Sequence, residues 1–165
     1  MDTLYLIKNR KSVTTFNTKE IPADILAEIL NCARVTPTRN YAQDWKFVVI
    51  KDRAVKRNIS ELCSLPCIND VPVLIALFSK NNKFKIEYTS AATEAILIAA
   101  NYYNIGVCWQ PTYNEPYSKV VANLLKAPAD QNLMGLVALG YYDFTTPSFH
   151  KIPSLSEVVI NEKFK

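Results

Sequence analysis

Arg10-Lys11-Ser12-Val13-Thr14-Thr15-Phe16 sets two cations and a hydroxyl at the end of a short apolar N-terminal segment. A guanidinium, an ammonium and a hydroxyl in that order suit a phosphate or a polyoxygenated ring, because all three donate and two carry charge. A second segment, Pro37-Thr38-Arg39-Asn40-Tyr41-Ala42-Gln43-Asp44-Trp45, is a polar loop opened by proline and closed by an aromatic. It feeds directly into the apolar run Lys46-Phe47-Val48-Val49-Ile50. Two later fragments share this mixture of backbone punctuation and polar groups: Gly106-Val107-Cys108-Trp109-Gln110-Pro111, and Gly140-Tyr141-Tyr142 followed by Lys151-Ile152-Pro153. Each has a plain structural reading when taken singly. Arg10 and Lys11 can complement a helix C-terminus, Ser12 can cap a turn, and Trp45 can be core.

Little else in the chain can do acid–base chemistry. His150 is the one histidine, and no serine or cysteine has it as a sequence neighbour, so no catalytic triad is visible. Cys63 and Cys67 have i,i+4 spacing, but Pro66 falls between them. Reduced thiols are therefore expected ahead of a metal or iron–sulfur site, and no metal is expected. Three glycines in 165 residues leave no Gly-x-Gly-x-x-Gly or Gly-x-x-x-x-Gly-Lys pattern. That argues against a dinucleotide-binding Rossmann turn or a P-loop, both of which need clustered glycines against phosphate.

The elements that must position these residues read as follows. Thr3 to Asn9 suits a short helix, and a second helix starts near Pro22 with Ile25, Leu26, Ile29, Leu30 and Ala33 on one face. Phe47–Ile50 reads as a buried strand, Arg53–Leu62 as a more polar helix, and Val71–Phe78 as a strand with Pro72 at its start. Tyr88–Tyr103 is the longest helix expected. It is alanine-rich with Glu94 the one acid in its middle, and Gly106 is expected to end it. Such a helix needs partners all round, which favours a dimer with helices at its centre. Val107–Trp109, Tyr117–Lys126 and Leu133–Tyr141 read as strand, amphipathic helix and core strand. From about residue 147 to 165 a proline-bearing tail is expected to pack on its own or a partner's surface.

About half the residues are hydrophobic and a fifth charged, and the length suits one domain, 1–165. A net charge of +4 is mild, and its densest basic run, Lys80, Lys83 and Lys85, reads as a solvated loop; nucleic acid is not an expected partner. The longest strictly apolar run is too short to cross a bilayer, and the N-terminus lacks a long apolar h-region. The expectation is a cytoplasmic protein without membrane contact, of α+β or mixed α/β class.

The four fragments, in this order, resemble the FMN-dependent nitroreductase family. Arg10, Lys11, Ser12 and Phe16 match its Arg-Arg-Ser-type motif, and Pro37, Thr38, Gln43 and Trp45 match its Pro-Ser-x-x-Asn-x-Gln-Pro-Trp loop. Thr14 stands where a cation near flavin N1 and O2 is usual, Tyr41 where asparagine is usual, and Asp44 where a second proline is usual. The resemblance implies an α+β fold with a mixed, mainly antiparallel central sheet surrounded by helices, in an intertwined homodimer. It further implies that Arg10, Lys11 and Lys151 hold phosphate and ribityl groups, and that Ser12 and Thr14 meet the ring edge. Pro37, Thr38, Arg39 and Gln43 would belong to the loop that reaches the partner's flavin. Trp109, Gln110, Pro111 and Thr112 would lie on the N5 side. In such enzymes FMN itself carries the chemistry, with NADH or NADPH as donor and a nitroaromatic, quinone or similar small molecule as acceptor. The alternatives are a homodimer that keeps the fold without flavin chemistry, and a specialised member for flavin breakdown or reductive dehalogenation.

Overall fold

The computed structural model describes residues 2–143 and 152–163. Within them, four strands form one sheet: β1 (Trp45–Ile50), β2 (Val73–Lys80), β3 (Gly106–Pro111) and β4 (Gln131–Gly140). Their order is β1-β2-β4-β3 and every pair is antiparallel. One parallel bridge, Ser12 to Val107, docks the N-terminal segment on β3. The sheet is thus mixed but mainly antiparallel, as expected.

Helices cover both faces. On one side α2 (Ala23–Arg34) and α4 (Lys85–Tyr102) meet Val73, Ile75 and Leu77 of β2 and Val137 and Leu139 of β4. On the other, α3 (Arg53–Cys63) and α5 (Ser118–Leu124) meet Leu74, Ala76 and Phe78 of β2 and Leu136 and Ala138 of β4. Alternate residues of a strand point to opposite faces. Because both faces are covered, β2 is buried from Val73 to Ser79 with no polar alternation until Lys80. β1 differs from its expectation as a buried strand. It is an edge strand, and Lys46 and Val49 are exposed.

α1 (Thr3–Lys8) is capped by Asp2, whose carboxylate accepts from the Leu4 N–H at 3.1 Å. Pro22 immediately precedes α2, with Asp24 in its first turn. α4 begins three residues earlier than Tyr88, so Lys85 is its first residue, while Lys80 ends β2. The basic run is therefore split between a strand end, a turn and a helix start. Gly106 does not end α4. Asn104 takes the left-handed conformation after the helix (φ 56°), and no glycine has positive φ. Gly106 instead opens β3, where a Cβ would come within 2.7 Å of the Tyr142 ring. Cys63 closes α3, whereas Cys67 lies in a separate single turn, Pro66–Ile68, so they share no helical face. The described part of the tail is exposed throughout and holds a short helix, α6 (Leu155–Val158), capped reciprocally by Ser154 and Glu157. His150 and Lys151 lie outside the described residues.

Candidate functional site

The site begins where the basic–hydroxyl segment leaves α1. The Val13 N–H donates to the Val107 carbonyl at 2.9 Å, bringing together two fragments more than ninety residues apart in sequence. Val13 is buried, which leaves its neighbours Ser12 and Thr14 exposed and Lys11 half-buried beside the edge of the sheet. β3 is an edge strand, laddered with β4 on one side and met on the other by the Ser12–Val107 bridge. Alternate residues of an antiparallel strand turn their main-chain groups to alternate edges. Trp109 therefore presents its N–H and C=O on the same outer edge as Val107, next along the strand from the bridge.

Arg10 turns back toward α4. Its Nε donates to Glu94 Oε1 at 3.1 Å, with both side chains about two-fifths exposed (41% and 39%). At that exposure the pair contributes little stability, about 0–1 kcal/mol, so its role is to orient the guanidinium. Glu94 thereby joins the candidate site, a residue that motif reading left unassigned. Its signal was visible as the single acid in an alanine-rich helix.

The second loop is anchored elsewhere on α4. The Arg39 N–H donates to the Tyr88 hydroxyl at 3.1 Å, and the Arg39 guanidinium lies 5.9 Å from the Phe84 ring centroid. Lys85 Nζ, one residue on from Phe84, is 4.8 Å from the Tyr113 ring centroid, next to Thr112. The Pro37–Arg39 loop and the Thr112 turn thus meet at the first turn of α4. Six residues separate Tyr88 from Glu94, or about 9 Å along the helix at 1.5 Å per residue. α4 therefore spaces the Arg10 group from the Arg39 group. Gln43 holds the loop from its other end, its side-chain N–H donating to the Arg34 carbonyl at 2.9 Å. Asn40 and Tyr41 both have positive φ, and Tyr41 is 91% exposed.

Three polar atoms in these segments are buried without a hydrogen-bond partner: Thr38 Oγ1, Trp109 Nε1 and Thr112 Oγ1. Thr112 is fixed through its backbone, with its N–H donating to the Met134 carbonyl at 3.2 Å and its carbonyl accepting from Ser118. Gly135 leaves room for the Trp109 indole, since a Cβ there would sit 3.1 Å from Nε1. The Gln110 side chain donates to the Pro111 carbonyl at 3.2 Å. Among the described residues no cluster of His, Cys, Asp and Glu could hold a metal ion, and no helix is long and apolar enough to cross a membrane.

The structure thus joins Arg10–Thr14 to the Val107–Pro111 strand, and Pro37–Arg39 to the Thr112 turn through α4. Comparison with known proteins agrees with the sequence resemblance. Residues 7–66 match the Nitroreductase family profile. A candidate NADH dehydrogenase/NAD(P)H nitroreductase of Archaeoglobus fulgidus is 29% identical over 147 residues, covering 84% of each chain. An iodotyrosine deiodinase of Thermotoga neapolitana is 24% identical and covers 97% of each. The solved structure of an FMN-dependent nitroreductase from Clostridium difficile superposes with a TM-score of 0.90 at 22% identity, covering 98% of this chain and 99% of that one. The chain has the nitroreductase fold, and the resemblance carried by its motifs is borne out.

Proposed function

We propose that this chain is an FMN-dependent oxidoreductase of the nitroreductase type, working as a homodimer with NADH or NADPH as electron donor. The single observation that carries the reading is the Val13–Val107 hydrogen bond, which sets the basic–hydroxyl segment beside the open edge of β3. The donor set suits a flavin mononucleotide. Arg10 and Lys11 supply charge for a phosphate, Ser12 and Thr14 supply exposed hydroxyls, and Trp109 supplies main-chain groups on the strand edge. Lys151 is assigned to the phosphate with Arg10 and Lys11, and Pro37, Thr38, Arg39 and Gln43 to the loop that meets the partner's cofactor. Trp109, Gln110, Pro111 and Thr112 are assigned to the N5 side.

Bound FMN would supply hydride and electron transfer; the protein's part is to bind and orient it. Arg10 is aimed by Glu94, and β3 holds Trp109 rigidly within the sheet. The acceptor class is an electron-poor small molecule such as a nitroaromatic or a quinone. The test is reconstitution with FMN. A yellow protein holding roughly one FMN per chain, reduced by NAD(P)H and reoxidised by a nitroaromatic, supports the reading. A colourless protein without FMN binding by calorimetry favours instead a fold retained without flavin chemistry.

Similarity over nearly the whole length of the Thermotoga deiodinase favours a second reading, reductive dehalogenation of an aromatic substrate. Anaerobic reoxidation of the reduced flavoprotein by iodotyrosine, with no turnover of nitroaromatics, would select it over the first. A homodimer in either case agrees with exposed apolar residues on α1 and α4, including Leu4 (61%), Tyr5 (57%) and Tyr102 (50%).

A further inference from the structure

Cys67 and Cys108 are distant in sequence and adjacent in space. Cys67 lies in the Pro66–Ile68 turn after α3, and Cys108 lies within β3. Their sulfurs are 3.9 Å apart, and both thiols are free and only partly buried. We propose that Cys67 and Cys108 are a redox-active dithiol that closes to a disulfide on reaction with a hydroperoxide and reopens with a thiol reductant.

The geometry makes closure short. A disulfide bond is about 2.05 Å long, so the sulfurs need approach by only about 2 Å. One of them sits on an edge strand and the other in a single turn, neither locked inside a long helix. The site also has a defined attacker. A proton kept on Cys108 and shared toward Cys67 stabilises the Cys67 thiolate, bringing it down to about 7 even though burial opposes this. The same contact, together with burial, pushes Cys108 up and keeps it a thiol. Cys63 is buried, and desolvation raises it to about 11, so it is a poor nucleophile. Cys32 faces the groove between α1, α2 and α4, remote from this pair in the fold.

The reaction balances without help from other groups. The Cys67 thiolate attacks one peroxide oxygen, the O–O bond breaks, and hydroxide leaves, giving a sulfenic acid. Cys108 then attacks the sulfenyl sulfur, the S–S bond forms and the S–O bond breaks. The departing oxygen takes the Cys108 proton as water. Two thiols are oxidised by two electrons, and hydrogen peroxide becomes two waters. A dithiol reductant reverses the S–S bond by exchange. The inference stands on the two sulfurs and does not need the flavin reading.

The experiment uses the reduced full chain treated with hydrogen peroxide near neutral pH. Two of the four thiols should disappear, with a mass loss of about 2 Da and restoration by dithiothreitol. Fragmentation mass spectrometry should place the bridge at Cys67–Cys108, and it should persist in Cys63→Ser and Cys32→Ser. The rate should fall roughly tenfold per pH unit once the pH is taken well below the Cys67 value. Retention of all four thiols, a bridge involving Cys63 or Cys32, or only intermolecular crosslinks would each overturn the proposal. Cys108→Ser provides a second check. It should stop at a sulfenic acid on Cys67, whereas unchanged formation of an intramolecular disulfide would count against the pair.

Discussion

Arg10 shows how a motif residue acquires a role from a distant one. Its charge recommends it for phosphate, and the Glu94 carboxylate fixes where its guanidinium lies. Arg10→Ala should therefore weaken FMN binding far more than Lys85→Ala. Loss of a charge-assisted contact costs about 1.5–3 kcal/mol, or roughly ten- to a hundredfold in Kd. Lys85 bonds Asn81 at 2.6 Å and stacks on Tyr113 at the other end of the helix segment, so its removal should shift Kd little. Calorimetric titration of both variants checks this, and equal losses would remove Arg10 from the site. Thr14 is exposed on the same segment and carries no charge, so in the proposed site charge has to come from Arg10, Lys11, Arg39 and Lys151.

Among the elements, α3 carries an unusual burden. Lys56 is buried and donates its ammonium to the Val71 carbonyl just before β2. Burial holds Lys56 below its ordinary value of 10.5, against the opposing pull of Asp70 and with Arg53 adding to the burial effect. The unfolded chain consequently binds this proton more tightly than the folded one. The cost of burying the charge is full below the folded value and vanishes above 10.5, so stability rises with pH between them. Relative to Lys56→Met, the wild type should gain urea midpoint as pH climbs through the alkaline range toward about 10.5. A constant difference across that range would contradict the assignment. The end of β4 offers a packing test. A Cβ on Gly140 would lie 2.8 Å from the Pro72 ring and 3.0 Å from the Phe16 ring. Gly140→Ala should cost about 1–3 kcal/mol through overpacking, seen as a lowered Tm, and an unchanged Tm would mean that Phe16 and Pro72 give way freely.

At the scale of the whole molecule, the proposed homodimer would have exposed apolar surface to cover. Leu4 and Tyr5 of α1 are exposed, and Tyr102 of α4 lines an apolar groove of about 430 Å³ with Leu6, Cys32, Ala95 and Ile98. The described tail adds Ile152 at 79% and Leu155 at 76% exposure. Covering surfaces of this kind removes apolar area from water, at roughly 25 cal/mol per Å². Light scattering should give twice the chain mass at micromolar concentration. A chain ending at Asp143 should dissociate more readily and melt with a stronger dependence on protein concentration. A well-folded monomer at those concentrations would refute the dimer.

Much of this protein is legible in its residues. Apolar runs and proline positions mark β2 and α2, because a strand covered on both faces must be apolar throughout and a proline fits where a helix begins. The order Arg10–Ser12, Pro37–Trp45, Gly106–Pro111 and Gly140–Tyr142 carries the family resemblance without coordinates. Periodicity does not carry neighbourhood across the sheet. Strand order β1-β2-β4-β3 makes β3 an edge, and only that placement lets Val13 bond Val107 and exposes Trp109's main chain. The same order makes β1 an edge despite its apolar sequence. Spacing along the chain links Cys63 to Cys67, whereas folding separates them and sets Cys67 against Cys108. Pairings such as Arg10–Glu94 and Arg39–Tyr88 are likewise decided by packing. Local sequence selects each element through dihedral preference and burial, but long-range contacts are selected by how the apolar faces of all the elements close together, a property of the whole chain.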